Sequence, residues 1–172
     1  MRMKILILAL SVCFFNKAIA QKGDKGLSAG LLVAVSNDMA TYSPTNYNWG
    51  TGIGINVTGQ SNISERGSLL LQFLVTRFGG TPSYTIAPDM PIVIPISLNG
   101  GYRHRLTASG FYANALVGLE HANKEIYLPL AAGIGKQFLI NGSRFIDVGI
   151  DLYSGFVRRF NIKAVYSLLQ NH

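Results

Sequence analysis

From Leu27 onward, apolar and mixed positions alternate with period two, the pattern of strands whose two faces meet different surroundings. In the first such segment Leu27, Ala29, Leu31, Val33 and Val35 alternate with Ser28, Gly30, Leu32, Ala34 and Ser36. The second sets Ile53, Ile55 and Val57 against Gly52, Gly54, Asn56 and Thr58, and the third sets Leu69, Leu71, Phe73 and Val75 against Ser68, Leu70, Gln72, Leu74 and Thr76. Further segments follow at 92–103, 111–120, 127–138, 146–153 and 160–168. The clearest places Ile146, Val148, Ile150 and Leu152 against Asp147, Gly149, Asp151 and Tyr153. Eight segments of roughly ten residues match the length of a tilted strand crossing a bilayer core.

One face is purely apolar. The other mixes glycine, serine, asparagine and charge with some leucine and tyrosine, as in a small barrel whose lumen is filled by side chains. A soluble barrel would reverse the two faces, but its solvated side should then carry more lysine and glutamate than this mixed face does. The first connections alternate long and short, at 37–48, 61–66, 79–90 and 106–110, and the later ones are short, at 121–125, 141–143 and 154–159. Outer-membrane barrels keep their turns short on the periplasmic side and place longer loops outside, with both ends of an even-stranded barrel periplasmic.

No apolar run reaches the roughly 18 residues a membrane-spanning helix needs, although mean hydropathy is +0.27 and only 13% of residues are charged. The first twenty residues read as a secretory leader: Arg2 and Lys4, an apolar stretch from Ile5 to Phe15, then Ala18-Ile19-Ala20 before a cleavage expected after Ala20. The remainder, 21–172, is one barrel domain. Removing Arg2, Lys4 and Lys17 with the leader lowers the net charge from +7 to +4, so the high pI of 9.7 is weak support for nucleic-acid binding, and none is expected. Cys13, the single cysteine, leaves as well, so no disulfide or cysteine metal site is expected in the mature chain.

A leader followed by eight alternating strands resembles the small outer-membrane β-barrel proteins of diderm bacteria, such as the OmpX type and the barrel domain of OmpA. The resemblance runs from about Gly26 to Leu169 and is one of pattern. The stretch Pro91 to Arg103 is similar to a segment common in one broad outer-membrane barrel family. In the last segment Asn161, Tyr166 and Leu168 occupy plausible positions of the assembly signal, while Lys163 stands where glycine is common. The resemblance implies an all-β, eight-stranded antiparallel up-and-down transmembrane barrel, monomeric, without a cofactor, and in contact with outer-membrane lipid and lipopolysaccharide.

The charges on the mixed face carry the chemistry. Asp151 should lie across a tight hairpin from Lys163, Asp147 one layer below, Glu120 near the extracellular mouth, and Arg103 with Arg105 near the periplasmic end. Such charges need partners, and a network of Glu120, Asp147, Asp151, Lys163 and Arg103 would block the narrow lumen rather than open an ion path. Arg77, Lys124, Arg158 and Arg159 fall at strand ends or loops on the outer side, where they suit lipopolysaccharide phosphates or simple solvation. Some small barrels act on lipid A with a His-x-Ser pair, but Leu106 follows His104 and Asn123 follows His121 at that spacing. Glu120 and His121 should point to opposite faces, and the isolated histidines offer no metal-ligand spacing. No catalytic site is therefore expected, with a lipid A-modifying enzyme and a soluble periplasmic ligand-binding barrel as the alternatives.

Gly50, Gly52 and Gly54 lack the following helix a phosphate loop requires and read as room for inward Tyr112, Tyr127, Phe145 and Tyr153. Tyr102, Phe111, Phe138 and Tyr166 lie on the apolar face near the expected periplasmic ends, as an interfacial aromatic girdle would. Lys136 shares that face and must snorkel to the interface.

Overall fold

The computed structural model describes residues 25–36, 47–48, 50–79, 81–82, 92–141 and 144–171. The leader and its cleavage point lie outside the described residues, as do most of the 37–48 and 79–90 connections. Eight long strands make the barrel: β1 (Lys25–Ser36), β2 (Thr51–Asn62), β3 (Gly67–Phe78), β4 (Ile96–Arg105), β5 (Phe111–Ala122), β6 (Leu130–Asn141), β7 (Arg144–Ser154) and β8 (Arg158–Asn171). Each pairs antiparallel with the next, and β1 pairs with β8 from Lys25↔Asn171 to Ser36↔Arg159, so the sheet closes. Closure leaves no strand edge unpaired, which is what permits an apolar exterior.

The period-two pattern decides which side faces out. Leu31 and Ile134 are 71% and 65% exposed, whereas Asp151 and Lys163 on the other face are 2% and 3% exposed. The apolar side chains therefore point away from the barrel, the reverse of a soluble barrel. Inside, Leu32, Ala34, Leu70, Leu74, Phe78, Leu116, Ala131, Tyr153 and Val157 form an apolar cluster.

Local chemistry sets the strand ends. The alternation of the fourth segment begins at Ile92, yet regular β4 begins at Ile96, because Pro95 has no N–H to donate. The ladder nevertheless continues on the β3 side, where Thr76 N donates to Pro95 O at 3.1 Å and Phe78 pairs with Val93. Between β5 and β6 the chain turns at Asn123 and Lys124, both at positive φ (49° and 67°), and Glu125–Tyr127 folds back onto β5. A small pairing of Tyr47–Asn48 with Thr81–Pro82 ties the two long connections to each other. These connections define a loop end. The turns at 63–66 and 106–110 define the opposite turn end.

Candidate functional site

Three ion pairs occupy the lumen at successive heights. Nearest the loop end, Glu120 and Arg159 are wholly buried, with Oε2 of Glu120 2.6 Å from Nη2 of Arg159. The same carboxylate accepts hydrogen bonds from Ser97 Oγ at 2.7 Å and from the backbone N–H of Phe156 at 2.7 Å. Arg159 also donates to Val157 O at 3.2 Å and stacks 4.0 Å from the ring centre of Tyr153. Glu120 thus anchors the β7–β8 hairpin across the mouth, with Val157 sealed beneath it.

Lower down, Lys163 Nζ lies 2.7 Å from Asp151 Oδ2, and Asn114 Nδ2 donates to Oδ1 at 3.1 Å. Closest to the turn end, Arg103 Nη2 lies 2.8 Å from Asp147 Oδ2, and the Tyr112 hydroxyl donates to Oδ1. The Arg103 guanidinium stacks over the Tyr112 ring at 3.8 Å and donates to Gln60 Oε1 at 3.1 Å. Buried charge is costly unless paired and hydrogen-bonded, and each carboxylate here has both kinds of partner.

Glycines create the space. A Cβ on Gly133 would collide with the Asp151 carboxylate and come within 2.8 Å of Asn114 Oδ1. One on Gly149 would meet the Tyr112 hydroxyl at 2.7 Å and Lys163 Cε at 3.2 Å. Gly52 makes room as expected, but for Phe78 Cδ1, 2.8 Å from its notional Cβ, rather than for a tyrosine.

Every charge expected in the lumen, Arg103, Glu120, Asp147, Asp151 and Lys163, is buried there. Arg105 is not: it is exposed at the end of β4. Asp151 stands opposite Asn161 rather than Lys163, because β8 starts at Arg158 and the hairpin is centred one residue earlier; Lys163 reaches Asp151 on the diagonal. Of the four outer-side cations, Arg77, Lys124 and Arg158 are exposed, on β3, the β5–β6 hairpin and β8. Arg159 must be removed from that group, since it is buried as the partner of Glu120. The signal for it was present: Arg159 shares the odd-numbered face of Asn161 and Lys163.

Glu120 and His121 do point to opposite faces, and His104 and His121 are exposed. Among the described residues no group of three His, Cys, Asp or Glu side chains gathers as a metal site. At the loop end Tyr127 donates to Glu125 Oε2 at 2.6 Å and packs on Phe156, with ring centres 5.1 Å apart. Loss of surrounding water, with the Glu125 bond adding to it, pushes the Tyr127 phenol up to about 12.

On the outer surface near the turn end, Tyr102, Phe111, Phe138 and Tyr166 are all exposed. Lys136 lies between two of them, with Nζ 4.7 Å from the Phe111 ring centre and 4.9 Å from that of Phe138. Arg144 Nη1 is 3.3 Å from the Tyr166 hydroxyl.

No family model and no curated protein matches the chain. Solved structures do match. The attachment invasion locus protein Ail of Yersinia pestis is 13% identical with a TM-score of 0.55, covering 86% of this chain and 97% of its own. Neisserial surface protein A is 14% identical with a TM-score of 0.54, covering 84% and 94%. The outer membrane protein OprG of Pseudomonas aeruginosa is 10% identical with a TM-score of 0.56, covering 84% and 92%. The chain therefore has the fold of the small eight-stranded outer-membrane barrels, as its strand pattern implied.

Proposed function

We propose that this chain is an outer-membrane β-barrel protein of a diderm bacterium, with a structural or interaction role at the envelope and no open channel. The observation that carries the reading is the division of faces: the closed cylinder turns a largely apolar strand face outward and holds six charges inside in matched pairs. Only a surrounding of acyl chains makes that arrangement favourable, since water would penalise the exterior by roughly 25 cal/mol for each Å² of apolar surface exposed. The lumen is filled by Tyr112, Tyr153, Phe78, Gln72 and the three ion pairs, and a continuous ion path would have to break them.

In this reading the loop end faces the cell exterior. Exposed Arg77, Lys124 and Arg158 then stand where lipopolysaccharide phosphates would be met, and the long loops are offered to an external partner. The test is fractionation of cells expressing the full chain, followed by electrophoresis with and without boiling and by bilayer recording. Recovery in the outer membrane, a heat-modifiable band and no steady conductance are expected. Recovery as a detergent-independent periplasmic protein would overturn the reading, and stable single-channel steps would overturn its closed lumen.

A further inference from the structure

The outward surface near the turn end is not uniform. Its aromatic and cationic side chains form one contiguous band over β4–β8: Tyr102 and His104, then Phe111, then Lys136 and Phe138, then Arg144, then Tyr166. On β1–β3 the outward residue in register with Ala29 and Val57 is Phe73, and those in register with Leu69 are Ser61 and Lys25. Within the band, Lys136 stands across from Phe111, the first residue of β5, on one side and from Val148 of β7 on the other. It is steered by two aromatic faces rather than by a carboxylate. Arg144 is held by a neutral phenol. Among the described residues neither cation has an anionic partner. Exposed Phe138 and Ile146, cross-strand neighbours, form an apolar floor beside the two cations.

We propose that this band binds an anionic phospholipid, its phosphate between Lys136 and Arg144 and its acyl chains on Phe138, Ile146 and Val148. The inference rests on the membrane-barrel reading and adds to it a lipid class and a location on β6 and β7. Two unneutralised cations beside rings that favour the headgroup level match a negative headgroup joined to hydrocarbon, which free phosphate lacks.

The experiment reconstitutes the folded protein in phosphatidylcholine vesicles carrying nitroxide-labelled phosphatidylglycerol or phosphatidylcholine, and reads the motionally restricted fraction by electron spin resonance. Labelled phosphatidylglycerol is expected to be favoured about fivefold over phosphatidylcholine, falling as salt is raised. Lys136→Met with Arg144→Met should abolish the preference, Lys136→Arg should keep it, and Arg77→Met, at the opposite end, should leave it unchanged. Equal restriction of both lipids by the unaltered protein, or a preference that survives the double substitution, overturns the proposal. So does loss of the preference on adding inorganic phosphate at constant ionic strength, since the phosphate alone would then suffice. A heat-modifiable band from the same vesicles keeps the barrel reading standing if the lipid preference fails.

Discussion

Strands β1–β3 and β4–β8 build the same cylinder by different means. All six paired lumen charges come from the later strands: Arg103 on β4, Glu120 on β5, Asp147 and Asp151 on β7, and Arg159 and Lys163 on β8. The earlier strands fill their share with neutral groups, among them Leu32, Ala34, Asn56, Thr58, Leu70, Gln72, Leu74, Thr76 and Phe78. The difference shows that one fold tolerates two interiors. A charged interior fixes side-chain geometry through specific partners but is costly to break, whereas a neutral one loses less when a contact goes; buried polar atoms without a partner among the described residues occur in both, Thr76 Oγ1 and Asn56 Nδ2 on the earlier strands and Asn161 Nδ2 and Ser167 Oγ on the later.

That contrast is broken most severely at the mouth. Glu120→Gln leaves the wholly buried Arg159 guanidinium without a counter-charge and should cost about 3–5 kcal/mol, read as a lower denaturant midpoint for unfolding from detergent micelles. Pairing Glu120→Met with Arg159→Met should recover most of the loss, because the stranded charge goes too. Lys163→Met should cost somewhat less, about 3 kcal/mol, as Asp151 keeps its bond from Asn114.

A packing change separates the halves next. Gly133→Ala drives a methyl group against Asp151, Asn114 and the Ile150 backbone oxygen and should cost about 1–3 kcal/mol; Gly52→Ala presses on the Phe78 ring and, at 3.0 Å, on the Arg77 backbone oxygen, and should cost less. Differential unfolding of the two variants checks the order. The smallest effect belongs to the neutral half: Thr76→Val removes a buried hydroxyl that has no partner among the described residues and should change stability by less than about 0.5 kcal/mol, in either direction. A loss of 2 kcal/mol there would mean that the neutral interior is as tightly specified as the charged one.

The strand pattern made the barrel legible because the side-chain period is two, so one apolar position fixes the facing of all its neighbours. Facing was thus readable even where it was misassigned: Phe160 and Ile162 point outward, which forces Arg159 inward. Cross-strand partners were less legible, since they depend on where each hairpin turns. The three-residue Gly155–Val157 connection places Asp151 opposite Asn161, a shift the alternation cannot detect. Which charge meets which is harder still. Glu120 and Arg159 are 39 residues apart, on strands brought face to face only by closure of the barrel. The girdle was legible as aromatic positions, whereas the placement of Lys136 between Phe111 and Phe138 needed the register of β5 with β6.

The central claim is that the alternating apolar face lies in hydrocarbon while the mixed face is sealed from it. Nitroxides placed one at a time along β7 and β8, at Ile150, Leu152 and Ile162 and at the intervening Gly149 and Asn161, test it most directly through collision with oxygen and with a water-soluble nickel chelate in vesicles. Period-two behaviour is expected, with high oxygen and low chelate accessibility at the three apolar positions and little of either at the inward ones. High chelate accessibility at Ile150, Leu152 and Ile162 would contradict the account.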